Sequence, residues 1–209
     1  MASNFPTALD GLLTNQPYVD GSTVIAAAAL NNIQDAVDKV QTKVGKDNST
    51  IATSLDFALR KAYVKVSDVK INADGDALTT NTWVKRTLNT EDNDAGNLCS
   101  LSSNQITLAA GTYRCCIHVP AFQAERHCAR LYNATAASVV IMGTAMYNYY
   151  DYANAMVCSE IVGQFVVAAN QALEVQHYCT VGRSNSGGQK VFSDSTPNVY
   201  TVAEFWKIA

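Results

Sequence analysis

The chain has 209 residues, of which 48% are hydrophobic and 16% are charged, and its formal net charge is −3. This composition suits one globular domain with a smaller appendage and excludes a disordered chain. No run of Lys or Arg provides a basic stripe that tracks phosphates, so we expect no nucleic-acid partner. The N-terminus lacks the basic and apolar regions of a secretory signal, and no apolar run is long enough to span a bilayer. We therefore expect synthesis in the cytoplasm and no membrane insertion.

The N-terminal part of the chain divides into an arm and a helical stem. Residues 1–22 contain scattered Pro, Gly and polar residues, which predicts an extended anchoring arm. From residue 23 the pattern is helical, and Gly45 stands where a glycine commonly ends a helix. The stem is predicted to span residues 23–61 and to include a shorter second helix after a polar loop. The apolar residues of that second helix are Ile51, Leu55, Ala58 and Ala62.

An apolar ladder with alternating spacings of four and three residues runs along the first predicted helix. Its members are Ala26, Leu30, Ile33, Val37, Val40 and Val44. This spacing is the a/d repeat of a left-handed coiled coil, and the remaining faces carry Asn, Gln, Asp and Lys. Because the apolar stripe is narrow, we favour self-association of this helix. An amphipathic helix that packs on its own domain is the alternative.

After residue 61 the apolar pattern changes to strict alternation, and residues 62–209 are predicted to form one β head. The candidate strands are residues 63–71, 81–89, 98–108, 112–119, 126–133, 139–145, 156–168, 172–181 and 198–208. Turn signals rich in Asn, Asp and Gly separate them. Short strands in this number, with no helix between them, predict a mainly β fold, an antiparallel jelly-roll sandwich.

The last predicted strand carries apolar side chains on both faces. Val202 and Trp206 alternate with Ala203 and Phe205. Such a strand must be covered on both sides, by the facing sheet and by a neighbouring subunit or a loop. We therefore expect Trp206 to take part in oligomerisation. The residues expected to do so in the stem are Leu30, Ile33, Val37, Val40 and Val44.

Six cysteines stand at positions 99, 115, 116, 128, 158 and 179. Without a signal sequence or a CxxC pair, we expect reduced thiols rather than disulfides. Cys116 with His118, and His177 with Cys179, stand two residues apart, so each pair shares one face of a strand and two such strands offer four zinc ligands. No spacing signature requires zinc, and buried thiols explain the same residues. We therefore predict no metal and no cofactor.

A tyrosine-rich segment lies in a predicted loop between two strands. Its tyrosines are Tyr147, Tyr149, Tyr150 and Tyr152, interleaved with Asn and Asp. Rigid aromatic area next to hydrogen-bonding groups suits a recognition surface and stacking on sugar rings, which predicts a ligand-binding role. The alternative is that these tyrosines contact another subunit or cover the end of the sandwich.

Several strings in the head resemble a β module of bacteriophage tail-fibre and virion-fibre proteins. They are LAAGTYR at 108–114, PAFQ at 120–123, ERHCARLYN at 125–133, LEVQHYC at 173–179 and VYTVAEFWKI at 199–208. In its general form, this module is similar to the trimeric jelly rolls of the C1q and tumour-necrosis-factor type. The N-terminal string FPTALD at 5–10, followed by the helix, is similar to the opening of many phage structural proteins.

The resemblance implies a homotrimeric virion protein that is not an enzyme. Its arm would attach to other virion proteins, and its β head would project and adhere to a host-surface glycan or protein. A capsid cement or decoration protein, also described as a head fibre, is the alternative, and a secreted C1q-type ligand is disfavoured by the missing signal and collagen-like repeat. A glycan depolymerase is a minor alternative, since no spacing selects a pair of catalytic carboxylates among Glu125, Asp151, Glu160 and Glu174.

Overall fold

The computed structural model describes residues 27–44, 63–149 and 155–208. The chain divides into two compact units, Met1–Arg60 and Lys61–Ala209. The predicted arm, the second helix of the stem, Tyr150 and Tyr152 lie outside the described residues. Each unit is therefore described by itself.

The described part of the first unit is helix α1, Ala27–Val44. Four members of the apolar ladder that follow Leu30 in this helix are between 40% and 52% exposed in the single chain, and these are Ile33, Val37, Val40 and Val44. The predicted coiled-coil pairing of this ladder stays a prediction. In the described ranges, no helix is both long and apolar enough to cross a lipid bilayer.

Twelve strands form the described part of the second unit. They are β1 (Tyr63–Ile71), β2 (Val84–Lys85), β3 (Thr90–Asn93), β4 (Cys99–Ser102), β5 (Gln105–Leu108), β6 (Gly111–Phe122), β7 (Glu125–Asn133), β8 (Ser138–Met142), β9 (Met146–Asn148), β10 (Met156–Val167), β11 (Ala172–Cys179) and β12 (Pro197–Lys207). The long strands match the predicted ones to within a few residues at each end, because alternation of apolar and polar residues marks them clearly.

The strands form two sheets, and their pairing defines a jelly roll. The front sheet has the order β10-β6-β12-β1-β3, and the back sheet has the order β4-β5-β11-β7-β8, with β2 on β11 and β9 on β7. The eight principal strands pair first with last and then inward, as β1 with β12, β5 with β11, β6 with β10 and β7 with β8, all antiparallel. This nested pairing confirms the predicted antiparallel jelly-roll sandwich.

The inner faces of the two sheets form one hydrophobic core. Its fully buried members include Val64, Ile117, Leu131, Val175 and Phe205. The ring of Phe165 lies 6.0 Å from that of Tyr113 and 6.2 Å from that of Phe205, centroid to centroid. Each such side chain contributes about 1.5–3 kcal/mol by leaving water, so this core stabilises both sheets and fixes which strand face points outward.

Two predicted strands were wrong in their extent. Residues 98–108 form a hairpin of β4 and β5, because Ser103 and Asn104 adopt positive φ angles of 52° and 61° at its turn. The segment 81–89 is a strand only at Val84–Lys85, since the chain there passes from the back sheet, where β2 pairs with β11, to the front sheet, where β3 pairs with β1. A segment that changes sheets cannot keep one set of partners.

Candidate interaction surfaces

The outer face of the front sheet carries exposed apolar side chains interspersed with the charged Arg114, Glu160 and Glu204. Tyr63 of β1 lies opposite Trp206 of β12, and their ring centroids are 5.4 Å apart. On β10, Val162 and Val166 are 52% and 77% exposed. We call this surface the front face. It is defined by Tyr63, Cys116, Val162, Val166, Val202 and Trp206. Trp206 thus lies on the outward face, and its predicted role in oligomerisation stays a prediction.

Polar groups are also present on the front face, and one of them is held by a hydrogen bond. The hydroxyl of Tyr63 donates to Oε1 of Glu204, which lies on β12. Burial, followed by the hydrogen bond to Glu204 and then the charge of that carboxylate, raises the pKa of Tyr63 to about 12, so the phenol stays a neutral donor. At the β3 edge, Lys65 Nζ lies 3.9 Å from Asp92 Oδ2. An apolar area with satisfied polar groups and a charged edge is the composition of many protein–protein interfaces.

The outer face of the back sheet is different, because its polar side chains pair with one another. The guanidinium of Arg130 lies 4.0 Å from the ring centroid of Trp83 and 4.6 Å from that of Tyr132. Its Nη2 donates to Oε1 of Gln176 at 2.7 Å, and Gln176 in turn donates to Glu174. Cation–π contacts and hydrogen bonds cover the aromatic surface here. The front face therefore offers the more apolar surface for a partner.

The tyrosine-rich segment is partly a strand, which corrects the predicted loop. Its first described residues form β9, and Tyr147 and Tyr149 are 51% and 44% exposed, with ring centroids 6.3 Å apart. Between them, Asn148 is buried, and its Nδ2 donates to the carbonyl of Ala121 while its Oδ1 accepts from the amide of Ala124. Asn148 anchors the segment so that the two tyrosines face outward. Their role as ligand-binding residues stays a prediction.

Sequence reasoning missed a charged cluster inside the sandwich. Arg86 is fully buried, and its Nη2 donates to the carbonyl of Gly187 at 2.7 Å while its Nε donates to Thr201 Oγ1 at 3.1 Å. The Nε also lies 3.5 Å from Oδ2 of Asp76. A Cβ at Gly187 would lie 2.3 Å from Arg86 Nη1, so this loop position must be glycine. The sequence held one sign of this burial: Arg86 stands two residues before the buried Leu88, so the two side chains are expected on the same face.

Two carboxyl groups next to Arg86 have opposite pKa shifts. Burial, followed by the charge of Asp76, raises the pKa of Asp68 to about 6. Burial also disfavours the charged form of Asp76, but the charge of Arg86 and hydrogen bonds from Lys70 and Thr87 outweigh it and lower the pKa of this carboxyl. At neutral pH both groups are therefore ionised, and the positive charges of Arg86 and Lys70 face them. Removing any one of these charged side chains should strongly destabilise the fold, since it leaves a buried charge without its partner.

The two histidines of the back sheet form a buried pair beside this cluster. Nδ1 of His127 lies 3.0 Å from Nε2 of His177, and the residues are 2% and 0% exposed. Burial, followed by the charge of Arg86, lowers the pKa of His127 to about 4 and that of His177 well below its usual value. Both rings are neutral at physiological pH, so one ring can donate a hydrogen bond to the other.

The structure assembles only one of the two cysteine–histidine pairs considered as zinc ligands. Cys116 Sγ lies 3.4 Å from His118 Nε2 on the front face. Cys179 Sγ instead contacts the carbonyl of Thr79 at 3.9 Å, while His177 faces the other buried histidine. Within the described ranges, no group of three or more His, Cys, Asp or Glu side chains can hold a metal ion.

The six cysteines are free thiols. Burial raises the pKa of Cys99 to about 12 and that of Cys115 to about 11, so neither is a thiolate at neutral pH. Cys99 also borders a shallow surface depression with Leu108 and Asn170. A neutral thiol in this position is a packing group and not an activated nucleophile.

The strand order and pairing define an antiparallel jelly-roll sandwich with an exposed apolar front face. No protein-family model and no curated protein matches the sequence. Among solved structures, the globular domain of zebrafish complement 1qA is similar, with 12% identity over 71% of this chain and 98% of that chain and a TM-score of 0.48. Murine APRIL at pH 5.0 is 10% identical over 70% of this chain and 98% of that chain, with a TM-score of 0.49.

Proposed function

We propose that the protein is a homotrimeric bacteriophage virion fibre whose β head binds a host-surface glycan or protein. The observation that carries the proposal is the exposed apolar front face. Isolated exposed apolar residues are common on soluble proteins, but a sheet face that combines Val162, Val166 and Trp206 with charged groups has the mixed composition of many interfaces. The resemblance of the sequence to phage fibre modules supplies the virion setting.

The front face has the size that a stable interface needs. Five strands spaced about 4.8 Å apart, with the longest rising about 3.3 Å per residue, span roughly 20 by 40 Å. The longest strands there, β6 and β10, each have 12 residues. The resulting area of about 800 Å² equals the area that each partner buries in a typical specific interface. Packing of front faces would cover Val162, Val166 and Trp206 in one step.

Helix α1 supports the same oligomeric assembly. The ladder residues Ile33, Val37, Val40 and Val44 are exposed in the single chain, and equivalent ladders of other copies would cover them at this heptad spacing. Gln34 Nε2 donates to Asp38 Oδ1 at 2.8 Å on the polar side, which supports the helix without occupying the ladder. A trimer would cover both the apolar ladder of the helix and the front face of the head.

The tyrosine-rich segment supports the adhesive role. Tyr147 and Tyr149 are held outward by the buried Asn148, so little conformational entropy is lost when a ligand stacks on them. A trimer presents three such sites on one particle. Weak contacts at each site then add through avidity, which suits attachment to a repetitive cell-surface glycan.

The oligomeric part of the proposal is tested by light scattering of the purified full chain. We expect a mass of three chains, and a monomer at all concentrations would contradict the proposal. Electron microscopy of intact virions with a labelled antibody then locates the protein. A position at the tail or on a projecting fibre supports attachment, whereas a position flush between capsomers indicates the decoration role.

The adhesive part is tested by competition between the purified protein and phage for host cells. We expect the double variant Tyr147→Ala and Tyr149→Ala to lose competition while keeping its oligomeric mass. Tyr178→Ala, on the back sheet beside Trp83, is the matched control and should compete normally. Equal competition by the Tyr147 and Tyr149 double variant would exclude the segment as the binding site. Release of sugars from host polysaccharide by the wild type would indicate a depolymerase instead.

A further inference from the structure

Cys116 and His118 form a two-ligand arrangement on the front face. Both belong to β6 and stand two residues apart, so their side chains leave the sheet on the same side. Cys116 Sγ lies 3.4 Å from His118 Nε2, and the His118 side chain is 43% exposed. The two donor atoms therefore converge on one accessible point of the surface.

The separation of the two donor atoms matches a tetrahedral zinc site. With Zn–S near 2.3 Å, Zn–N near 2.0–2.1 Å and a tetrahedral angle between them, a thiolate sulfur and an imidazole nitrogen on one zinc ion are about 3.6 Å apart. The observed 3.4 Å needs almost no movement of either side chain. A thiolate and an imidazole also favour zinc over calcium or magnesium, because the latter two prefer oxygen ligands.

The other ring nitrogen of His118 has the partner expected of a metal-bound histidine. Its Nδ1 lies 3.5 Å from Oε1 of Glu160, which is opposite His118 in the register of β6 and β10. Histidines that bind a metal through one nitrogen usually donate the other N–H to a carboxylate, which fixes the ring and makes it a better ligand. Glu204 lies opposite Cys116 on β12, so a second carboxylate adds negative charge beside the thiol. Arg114 of the same face opposes this charge in part.

One chain provides only half of a zinc coordination shell at this point. A structural zinc ion takes four protein ligands, and the described residues of a single chain include no metal-holding group of three or more. The front face is also the surface at which neighbouring copies are proposed to meet. We propose that Cys116 and His118 bind zinc together with the same residues of neighbouring copies, so that the ion links the front faces.

This inference rests on the proposed self-association through the front face, and it adds a cofactor that the sequence does not predict. Zinc replaces the proton on each Cys116 thiol that it binds, so the proton passes to the solvent, and no group is oxidised or reduced. An inter-subunit ion of this kind makes the assembly sensitive to chelators and to acid.

The test is the zinc content of the purified full chain, measured by inductively coupled plasma mass spectrometry after dialysis against trace zinc. We expect about one zinc ion per three chains of the proposed trimer, because one ion takes four ligands and therefore needs donors from more than one copy. Cys116→Ser and His118→Gln should each reduce the content to background. Cys158→Ser is the matched control, since this exposed cysteine stands opposite Pro120 in the register of β10 and β6 and lies outside the converging pair.

Two further measurements identify the ligands. Cobalt substitution should give a thiolate-to-metal charge-transfer absorption in the wild type and in Cys158→Ser but not in Cys116→Ser. Glu160→Gln should keep the absorption and weaken zinc affinity about 10- to 100-fold, as loss of a carboxylate behind a ligating histidine does. His118→Gln provides an independent variant should Cys116→Ser fail to fold.

The possible results separate the inference from the proposed function. A trimer that holds no zinc, or that loses none in Cys116→Ser and His118→Gln, overturns the zinc site while the proposed assembly stands. One zinc ion per chain also overturns it, since such an ion would be bound within single chains. A monomer at every concentration, with or without zinc, refutes the self-association itself. Dissociation by chelator and reassembly on adding zinc support both.

Discussion

Replacing Val162 by aspartate is the sharpest test of the front face as an interface. Val162 is 52% exposed in the single chain and lies opposite Cys116 on the front face. Covering a half-exposed valine contributes about 1 kcal/mol, and forcing an unpaired carboxylate into the same contact costs several kcal/mol more. We therefore expect a penalty of at least about 3 kcal/mol per interface, or about 100-fold in the dissociation constant.

The assay is light scattering across a dilution series, carried out at one fixed concentration of free zinc so that metal occupancy is the same for variant and wild type. Val139→Asp is the matched control, because Val139 is 44% exposed but lies on the back sheet, opposite Tyr132. The free energy of unfolding of both variants should lie within about 0.5 kcal/mol of the wild-type value, since each substitution changes an exposed side chain. If Val162→Asp and the wild type dissociate at the same concentration, the front face is not the interface.

Two predictions concern the buried charges. Arg86→Ala should lower the free energy of unfolding by about 3–5 kcal/mol in urea, because it leaves buried carboxylates without their cation, whereas Arg126→Ala, at an exposed position, should change it by less than about 0.5 kcal/mol. Because burial lowers the pKa of His127 from 6.5 to about 4, and that of His177 as well, the unfolded chain binds more protons, so stability should fall as the pH drops through this range. The raised pKa of Asp68 opposes this loss, so Asp68→Asn should make urea midpoints fall more steeply with acid, and an unchanged slope would contradict this assignment.

The sequence predicts the long strands well because their inner faces are uniformly apolar. The predicted segment 63–71 coincides with β1, since Val64 and Val66 alternate with outward residues along it. The turn at Ser103 and Asn104 was missed because neither residue is glycine, although both adopt positive φ. Asparagine tolerates this conformation through its short polar side chain, so an isolated Ser-Asn within an apolar run is a weak but physical sign of a hairpin.

The interior charges were harder to predict than the strands. Arg86 shares the inward parity of Leu88, yet a lone arginine in a strand pattern usually indicates an outward side chain. Its burial depends on partners from distant parts of the chain, namely Asp76, Gly187 and Thr201. Alternation gives the direction of a side chain, but the groups that compensate a buried charge are set by the tertiary fold.

Strand β6 shows why alternation could identify the front face but not its chemistry. Cys115 and Cys116 are adjacent, and the sequence predicts that they point to opposite faces. Cys115 is fully buried in the core, whereas Cys116 is partly exposed on the front face. A thiol in the core is explained by packing alone, but the outward thiol contacts an imidazole that a carboxylate also approaches. The two thiols differ in the residues that surround them, and most of these belong to other strands. The spacing of residues along β6 therefore gives the direction of each thiol but not its chemical role. Cys116→Ser should therefore alter assembly and metal content, while Cys115→Ser should act on the stability of the single chain.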